Sequence, residues 1–203
     1  MKQNTIVTIN REFGCGARKI ARTLAEELNV HFYDRELIDM AAERAGLNKE
    51  MLYSMDENMN GKGLGSLVSR FGYGTSTNFY SDKAIEAQEE VIREIASKDD
   101  PCVIFGRCSD YYLQEYPDVV SIFLYAPLNW RVTHLAQTQN ISEEESSKLI
   151  KRVDRQRHDY YKYVTGEDRG GRYDKYLMID VSKFGEEGSI KLMKYALDCL
   201  EEV

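Results

Sequence analysis

The sequence lacks the features of a membrane-spanning, exported or zinc-stapled protein. No window of its 203 residues approaches about 18 consecutive apolar residues, so we expect no transmembrane span. Residues 1–14 hold no apolar segment of the kind found in signal peptides. The cysteines Cys15, Cys102, Cys108 and Cys199 form no C-x-x-C pair and no zinc-ligand spacing, which favours reduced thiols in the cytoplasm.

An excess of positive charge is also missing. Lys and Arg number 27 against 34 Asp and Glu, a net charge of −7. This balance argues against a protein that coats nucleic acid, because such a protein needs a basic surface to displace counterions. Any anion must therefore be held by a local cluster. With about 150 residues per domain, the length predicts a single domain over 1–203.

Short apolar runs alternate with segments of helical periodicity along the chain. The predicted strands are Thr5–Asn10, Val30–Tyr33, Pro101–Gly106, Val119–Ala126 and Leu177–Val181. The third and fourth runs are almost wholly apolar, which is typical of strands buried on both faces. The pattern predicts an α/β fold with a parallel sheet covered by helices on both sides.

Two segments fall outside this alternation. Residues 47–82 are rich in Met, Gly, Ser and Asn, and we expect a mobile functional segment there, with helical regularity returning at Asp82. Residues 142–172 begin with the capping pattern Ser142-x-x-Glu145 and continue into a basic run. Repulsion among its like charges predicts that this second segment stays open in the absence of ligand.

A glycine-bearing turn joins the first strand to the first helix. Its residues are Arg11, Phe13, Gly14, Cys15, Gly16, Ala17, Arg18 and Lys19. Such a turn directs backbone N–H groups and a helix N-terminus at one point, which suits a phosphate group. The side chains fit no standard motif, because Ala17 stands at the P-loop lysine position and Lys19 at the Ser/Thr position. An ordinary strand-to-helix connection is the alternative.

Two charged residues are predicted at the carboxyl edge of the sheet, where open α/β sheets bind ligands. Arg107 directly follows a buried strand, so it meets either an anion or a carboxylate of a neighbouring loop. Asp34 ends the second strand, where it either holds a Mg²⁺-bound water or caps the helix that begins near Arg35.

The third cluster is basic and lies within 142–172. Lys148, Lys151, Arg152, Arg155 and Arg157 are opposed there only by Asp154. Five positive charges against one predict a local anion site in an otherwise acidic chain. A solvated charged helix face is the alternative reading.

Taken together, these features resemble the cytidylate kinase-like family, a divergent branch of the P-loop nucleoside monophosphate kinases. The motifs that carry the resemblance are Ile9-x-Arg11-Glu12-Phe13-Gly14-x-Gly16-x-Arg18-x-Ile20-Ala21, Phe32-Tyr33-Asp34, Val103-Ile104-x-Gly106-Arg107, Tyr125-Ala126-Pro127-Leu128 and Arg155-Gln156-Arg157-x-x-Tyr160-Tyr161. The resemblance implies a three-layer P-loop NTPase sandwich with a five-stranded parallel sheet. It also implies a monophosphate-binding insertion at 47–82 and a helical lid at 142–172.

The resemblance further implies ATP and Mg²⁺ as cofactors and a small nucleotide as the partner, with neither nucleic acid nor membrane. ATP would lie on residues 11–19 with its adenine near Ser182, Lys183 and Phe184. Arg107 would hold the acceptor phosphate, and Asp34 would hold Mg²⁺ through water. The lid arginines Arg152, Arg155 and Arg157 would neutralise the phosphoryl group in transfer. The oligomeric state stays open.

The sequence also departs from the family pattern. The departures are Ala17 and Lys19 in the turn, Phe105 for an acidic residue, Cys108 for the Asp after Gly-Arg, and His134 for an adenine-stacking Arg. Arg18 or Lys19 is expected to supply the missing positive charge. The resemblance implies ATP-dependent phosphoryl transfer to a nucleoside monophosphate such as CMP. The alternatives are a nucleotide-binding regulatory module without catalysis and an anion-binding scaffold.

Overall fold

The computed structural model describes residues 4–49, 75–172 and 174–201. A single sheet of five parallel strands runs through the described molecule in the order β2-β3-β1-β4-β5. The strands are β1 Ile6–Arg11, β2 His31–Tyr33, β3 Cys102–Phe105, β4 Val119–Tyr125 and β5 Leu177–Asp180. The predicted parallel α/β sheet is confirmed, and each strand lies where an apolar run predicted it.

Helices connect these strands and cover both faces of the sheet. Within the described residues they are α1 Ala17–Leu28, α2 Glu36–Ala45, α3 Thr75–Ala96, α4 Ser109–Tyr112, α5 Leu128–Gln139, α6 Glu143–Thr165 and α7 Val181–Glu201. None of these helices is long and apolar enough to cross a membrane. Pro127 immediately precedes α5, where its fixed φ favours a helix start.

One helix start differs from the prediction. Helical regularity was expected only from Asp82, but α3 begins at Thr75. Residues 75–81 are polar except for aromatic rings, so they carry too few apolar positions to show a helical period. Most of the predicted insertion at 47–82 lies outside the described residues.

The core is divided between the two faces of the sheet, which makes the molecule a three-layer sandwich. On one face, Val7 and Ile9 of β1 pack with Leu24 of α1 and with α7. On the other face, Ile6 packs with Ile92 of α3, together with α4 and α6. Successive residues of β1 therefore face opposite layers, as the two-residue period of a strand requires.

The sheet topology brings four connections to one edge. β1 lies at the centre, paired with β3 on one side and β4 on the other. Because all strands are parallel, the glycine turn after β1 shares the carboxyl edge with Asp34, Arg107 and Ala126. Ligands of open α/β sheets bind at this edge.

The predicted lid is largely one helix that packs against the rest of the molecule. α6 is 23 residues long, and it buries Ile150, Val153, Arg157 and Tyr161 on one face. Its positive charges are partly matched, as in the exposed pair of Lys148 with Glu144. Arg155 likewise has Asp159 nearby, and the expectation that this segment stays open without ligand stays a prediction.

Candidate functional site

The glycine turn is built from left-handed backbone that favours glycine. Gly14 has φ +85° and Gly16 has φ +76°, a region that residues with a Cβ rarely adopt. A Cβ on Gly14 would lie 3.3 Å from Ile150 Cδ1, and one on Gly16 would lie 3.5 Å from His134 Nε2. The turn is therefore seated closely against α5 and α6.

The N-terminus of α1 ends this turn without a side-chain cap. Gly16 is the N-cap residue, its position carries no capping side-chain hydrogen bond, and the first turn has no acidic residue. The first N–H groups of a helix and the positive end of its dipole attract anions. The geometry of residues 11–19 thus fits the predicted phosphate site through backbone groups.

The side chain of Cys15 anchors the turn to the end of β4. Its side chain is buried, and its Sγ donates to the carbonyls of Glu12 at 3.2 Å and Leu124 at 3.7 Å. Burial raises the pKa of the Cys15 thiol to about 11, so the thiol stays protonated at neutral pH. Cys15 was predicted to bind the ligand, and with its thiol buried it can do so only through its backbone N–H.

Sequence reasoning missed a network of arginines and carboxylates around the turn. The side chain of Arg131 in α5 is 7% exposed and binds four groups: the carbonyls of Phe13 and Ala126, both at 2.9 Å, Glu12 at 3.2 Å and Asp154 at 2.5 Å. Arg169 joins the Arg11 carbonyl at 3.0 Å to Asp154 at 3.1 Å. The only sequence signal was Asp154 itself, the single acid in the basic run.

The three predicted lid arginines are not brought together. Arg157 is buried, donates to the Arg11 carbonyl at 3.4 Å and lies 5.2 Å from the centre of the Phe13 ring. Arg152 is exposed, and Arg155 is 84% exposed with Asp159 3.8 Å away. Only Arg157 contacts the turn.

Arg18 and Lys19 take different directions from the first turn of α1. Counting from Gly16, the residue after Ala17 is Arg18, so the Ser/Thr position of a P-loop falls on Arg18 and not on Lys19. Lys19 pairs with Glu186 of α7. Arg18 lies 5.8 Å from the Phe105 ring and pairs with Asp34 at the carboxyl edge. Both cations are thus paired with carboxylates, and Arg18 is the one whose partner lies at the carboxyl edge.

Asp34, predicted to hold Mg²⁺ through water or to cap the next helix, is engaged by an arginine. Arg18 grips both of its carboxylate oxygens, with Nε to Oδ2 at 2.9 Å and Nη2 to Oδ1 at 3.2 Å. Among the described residues, no group of three or more His, Cys, Asp or Glu side chains could hold a metal ion. Asp34 instead fixes the direction of Arg18.

Phe105 and the residues after it form the neighbouring part of the edge. The guanidinium of Arg11 lies 4.1 Å from the centre of the Phe105 ring and fills the space where a Cβ on Gly106 would stand. Arg107 and Cys108 then have φ of +63° and +54°. Such strain in non-glycine residues is typical of functional sites. The structure places Arg107 at the predicted edge.

A buried ion pair anchors the segment that follows Arg107. Lys175 Nζ lies 2.8 Å from Asp110 Oδ2, and both side chains are 1% exposed. The Tyr161 hydroxyl also donates to Asp110, at 3.3 Å. This cluster ties α4 to α6 and to the chain before β5.

The predicted adenine region lies at the start of α7. Ser182 donates through its N–H and hydroxyl to Asp180, while Lys183 and Phe184 are exposed. Near Gly16, the rings of His134 and Trp130 stack with their centres 4.6 Å apart. The stacked pair offers an aromatic face beside the turn. Trp130 was not among the site residues predicted from the sequence.

Comparison with known proteins gives the family of this chain. The profile of the cytidylate kinase-like family matches residues 6–183. This chain belongs to that family. The cytidylate kinase of Methanopyrus kandleri is 25% identical over 210 residues, covering 98% of this chain and 96% of that protein.

Solved structures show that the family's P-loop kinase fold is present here. An uncharacterised protein from Eubacterium ventriosum has a TM-score of 0.73 at 22% identity, covering 98% of this chain and 99% of its own. A gluconokinase from Sinorhizobium meliloti has a TM-score of 0.60 at 12% identity, covering 100% and 96%. These likenesses show the fold, and membership of the family supports a kinase-like phosphotransferase in general terms.

Proposed function

We propose that this chain transfers the terminal phosphoryl group of ATP to a nucleoside monophosphate, with CMP as the first acceptor to test. The observation that carries the proposal is the uncapped start of α1 behind the turn of Gly14 and Gly16, with Arg157 against that turn. Backbone N–H groups and a guanidinium are the donors that polyphosphates take. Membership of a family whose relatives are named cytidylate kinases supports the same reading.

Each retained residue has a distinct part in this proposal. The turn amides hold the ATP phosphates, while Arg157 neutralises charge on the phosphoryl group in transfer. Arg107 holds the acceptor phosphate. Arg18, held in place by Asp34, supplies the positive charge of the P-loop lysine, whose position is occupied by Ala17. An acceptor phosphate oxygen forms a bond to the terminal phosphorus, the bond from that phosphorus to the bridging oxygen breaks, and ADP leaves.

A Mg²⁺ ion would enter with ATP. Bound to the triphosphate, such an ion supplies positive charge between phosphate oxygens. Because Asp34 is engaged by Arg18, we assign no protein ligand to the ion.

The test is a turnover screen of ATP with CMP, UMP, AMP and GMP, following ADP by a coupled assay. We expect one acceptor to stimulate ADP formation, and Arg107→Ala to raise the KM for that acceptor more than it lowers kcat. Arg44→Ala is the control, because Arg44 pairs with Glu94 on an exposed surface of α2. The proposal would be refuted if ADP formed at the same rate without an acceptor as with each of the four acceptors.

A second candidate is a nucleotide-binding regulatory module without catalysis. The observation in its favour is that Arg131 and Arg169 are already bound to Asp154 and that Ala17 carries no charge. This candidate predicts that ATP binds and that no acceptor is phosphorylated. The same screen, combined with an ATP titration, separates the two candidates.

A further inference from the structure

The carboxylate of Asp154 binds directly to the glycine turn. It accepts from the backbone N–H of Phe13 at 2.9 Å, from Arg131 Nη1 at 2.5 Å and from Arg169 Nη2 at 3.1 Å. These donors come from three different parts of the chain: the glycine turn, α5 and the segment after α6. One carboxylate thus gathers them around the turn.

This donor set is the one that a phosphate group takes. A backbone N–H from a glycine turn and two guanidinium groups are typical partners of phosphate oxygens, since the bonds are charge-assisted. A carboxylate presents two oxygens of similar charge and geometry. We propose that Asp154 is an internal stand-in for a phosphate group, which a phosphate of the bound nucleotide displaces. The inference rests on the proposed nucleotide site.

The local charge favours such an exchange. Arg11, Arg131, Arg157 and Arg169 all contact or flank the turn, while Glu12 is the other acid among them. Loss of Asp154 from the cluster leaves guanidinium charge that an incoming anion can neutralise. Arg131 also donates to the carbonyls of Ala126 and Phe13, and these two bonds do not involve Asp154.

Asp154 is also placed to leave. Its side chain is 21% exposed, so its carboxylate can reach water by rotating on α6. Arg169 lies on the segment that follows α6, and it would then pair with the nucleotide. Exchange of partners at Asp154 therefore links phosphate binding to the position of the lid.

The competing explanation is that Asp154 only braces the turn. The two explanations predict opposite signs. If Asp154 competes with phosphate, Asp154→Asn strengthens anion binding; if it braces the turn, the same change weakens binding. Asp159→Asn is a matched control, because Asp159 lies on the same helix with its side chain exposed and near Arg155.

The experiment titrates each protein with inorganic pyrophosphate and with ATP at fixed ionic strength. Trp130 is the chain's single tryptophan and neighbours Arg131, so its fluorescence reports binding. We expect Asp154→Asn to lower the pyrophosphate Kd about tenfold, and Asp159→Asn to change it by less than about twofold. An unchanged or raised Kd in folded Asp154→Asn would overturn the inference.

A wild-type measurement covers the case in which Asp154→Asn does not fold. On adding pyrophosphate, the side-chain carboxyl ¹³C resonance of Asp154 should move and that of Asp159 should stay. An unmoved Asp154 resonance at saturation contradicts the inference.

A separate measurement of turnover distinguishes failure of the proposed kinase activity from failure of the proposed role of Asp154. Tighter pyrophosphate binding without turnover refutes only the proposed kinase activity. Turnover with unchanged pyrophosphate affinity in Asp154→Asn refutes only the role of Asp154.

Discussion

Helices α1 and α6 begin in opposite ways. The start of α6 is satisfied internally, because the Ser142 hydroxyl accepts from the Glu145 N–H while the Glu145 carboxylate accepts from the Ser142 N–H. Acidic residues also fill its first turn. The start of α1 has neither a side-chain cap nor an acid, and it carries Arg18 and Lys19 instead.

One helix end is thus satisfied by its own side chains, whereas the other has no side-chain cap. Two cations at the positive end of a helix destabilise it, whereas acids stabilise it. The α1 end therefore keeps a positive field that an anion can use.

The largest effect is expected from closing the α1 end. Gly16→Val places a Cβ near His134 and Glu186 and forces valine into left-handed backbone, so ATP affinity should fall about a hundredfold or more. ATP titration measures the change. Gly46→Val is the control, because Gly46 has φ +61° and open space around its Cβ position.

Both glycine variants should lose about 1–2 kcal/mol of unfolding free energy from backbone strain. Only Gly16→Val should lose ATP. Retained ATP affinity in that variant would contradict the assignment of the P-loop.

The second prediction separates the arginines of α6. Arg157→Ala should lower kcat about a hundredfold, because Arg157 lies on the turn where charge develops. Arg155→Ala should change kcat by less than about threefold, since its side chain faces solvent near Asp159. Steady-state kinetics at saturating ATP measures both. Equal losses would show that the lid rearranges to bring Arg155 inward.

The third prediction concerns the capped end. Ser142→Ala should lower the free energy of unfolding by about 1 kcal/mol, because the Glu145 N–H loses its acceptor. Urea denaturation measures the loss. ATP affinity should stay within about twofold of the wild type, and a large change in affinity would mean that the two helix ends are coupled.

The smallest effect concerns the thiol beneath the turn. Burial raises the pKa of Cys15 to about 11, whereas an unfolded cysteine titrates near 8.5. The folded state thus favours the protonated thiol, and its contribution to stability is lost as pH rises from about 8.5 towards 11. Urea denaturation at pH 8 and pH 10 should show a smaller pH-dependent loss for Cys15→Ala than for the wild type. An identical loss in both proteins would show that Cys15 titrates normally.

The fold could be predicted because its signals are local. Each strand is a short apolar run, and Pro127 and Ser142 mark helix starts in the sequence itself. The start of α3 could not be found, because residues 75–81 have no apolar period. The glycine turn could be predicted because left-handed backbone favours glycine, so the glycines themselves mark the turn in the sequence.

The surroundings of the turn could not be predicted because they depend on distant contacts. Arg131 of α5 forms ion pairs with Glu12 beside the glycine turn and with Asp154 of α6. Nothing in the local sequence of Arg131 distinguishes it from a surface arginine. The pairing of Arg18 with Asp34 likewise joins α1 to the end of β2. Pairings of this kind follow from topology, so the sequence did not show that Arg18 would engage Asp34.

The most direct test of the central claim is phosphoryl transfer observed by ³¹P NMR. Wild-type protein is incubated with ATP, Mg²⁺ and the acceptor that gives the strongest response in the turnover screen, and Gly16→Val and Gly46→Val are run beside it. The account predicts that ADP and the phosphorylated acceptor appear in equal amounts with the wild type and Gly46→Val, and that neither forms with Gly16→Val. ATP that binds to the wild type yet yields only inorganic phosphate, or no product with any acceptor, would contradict it.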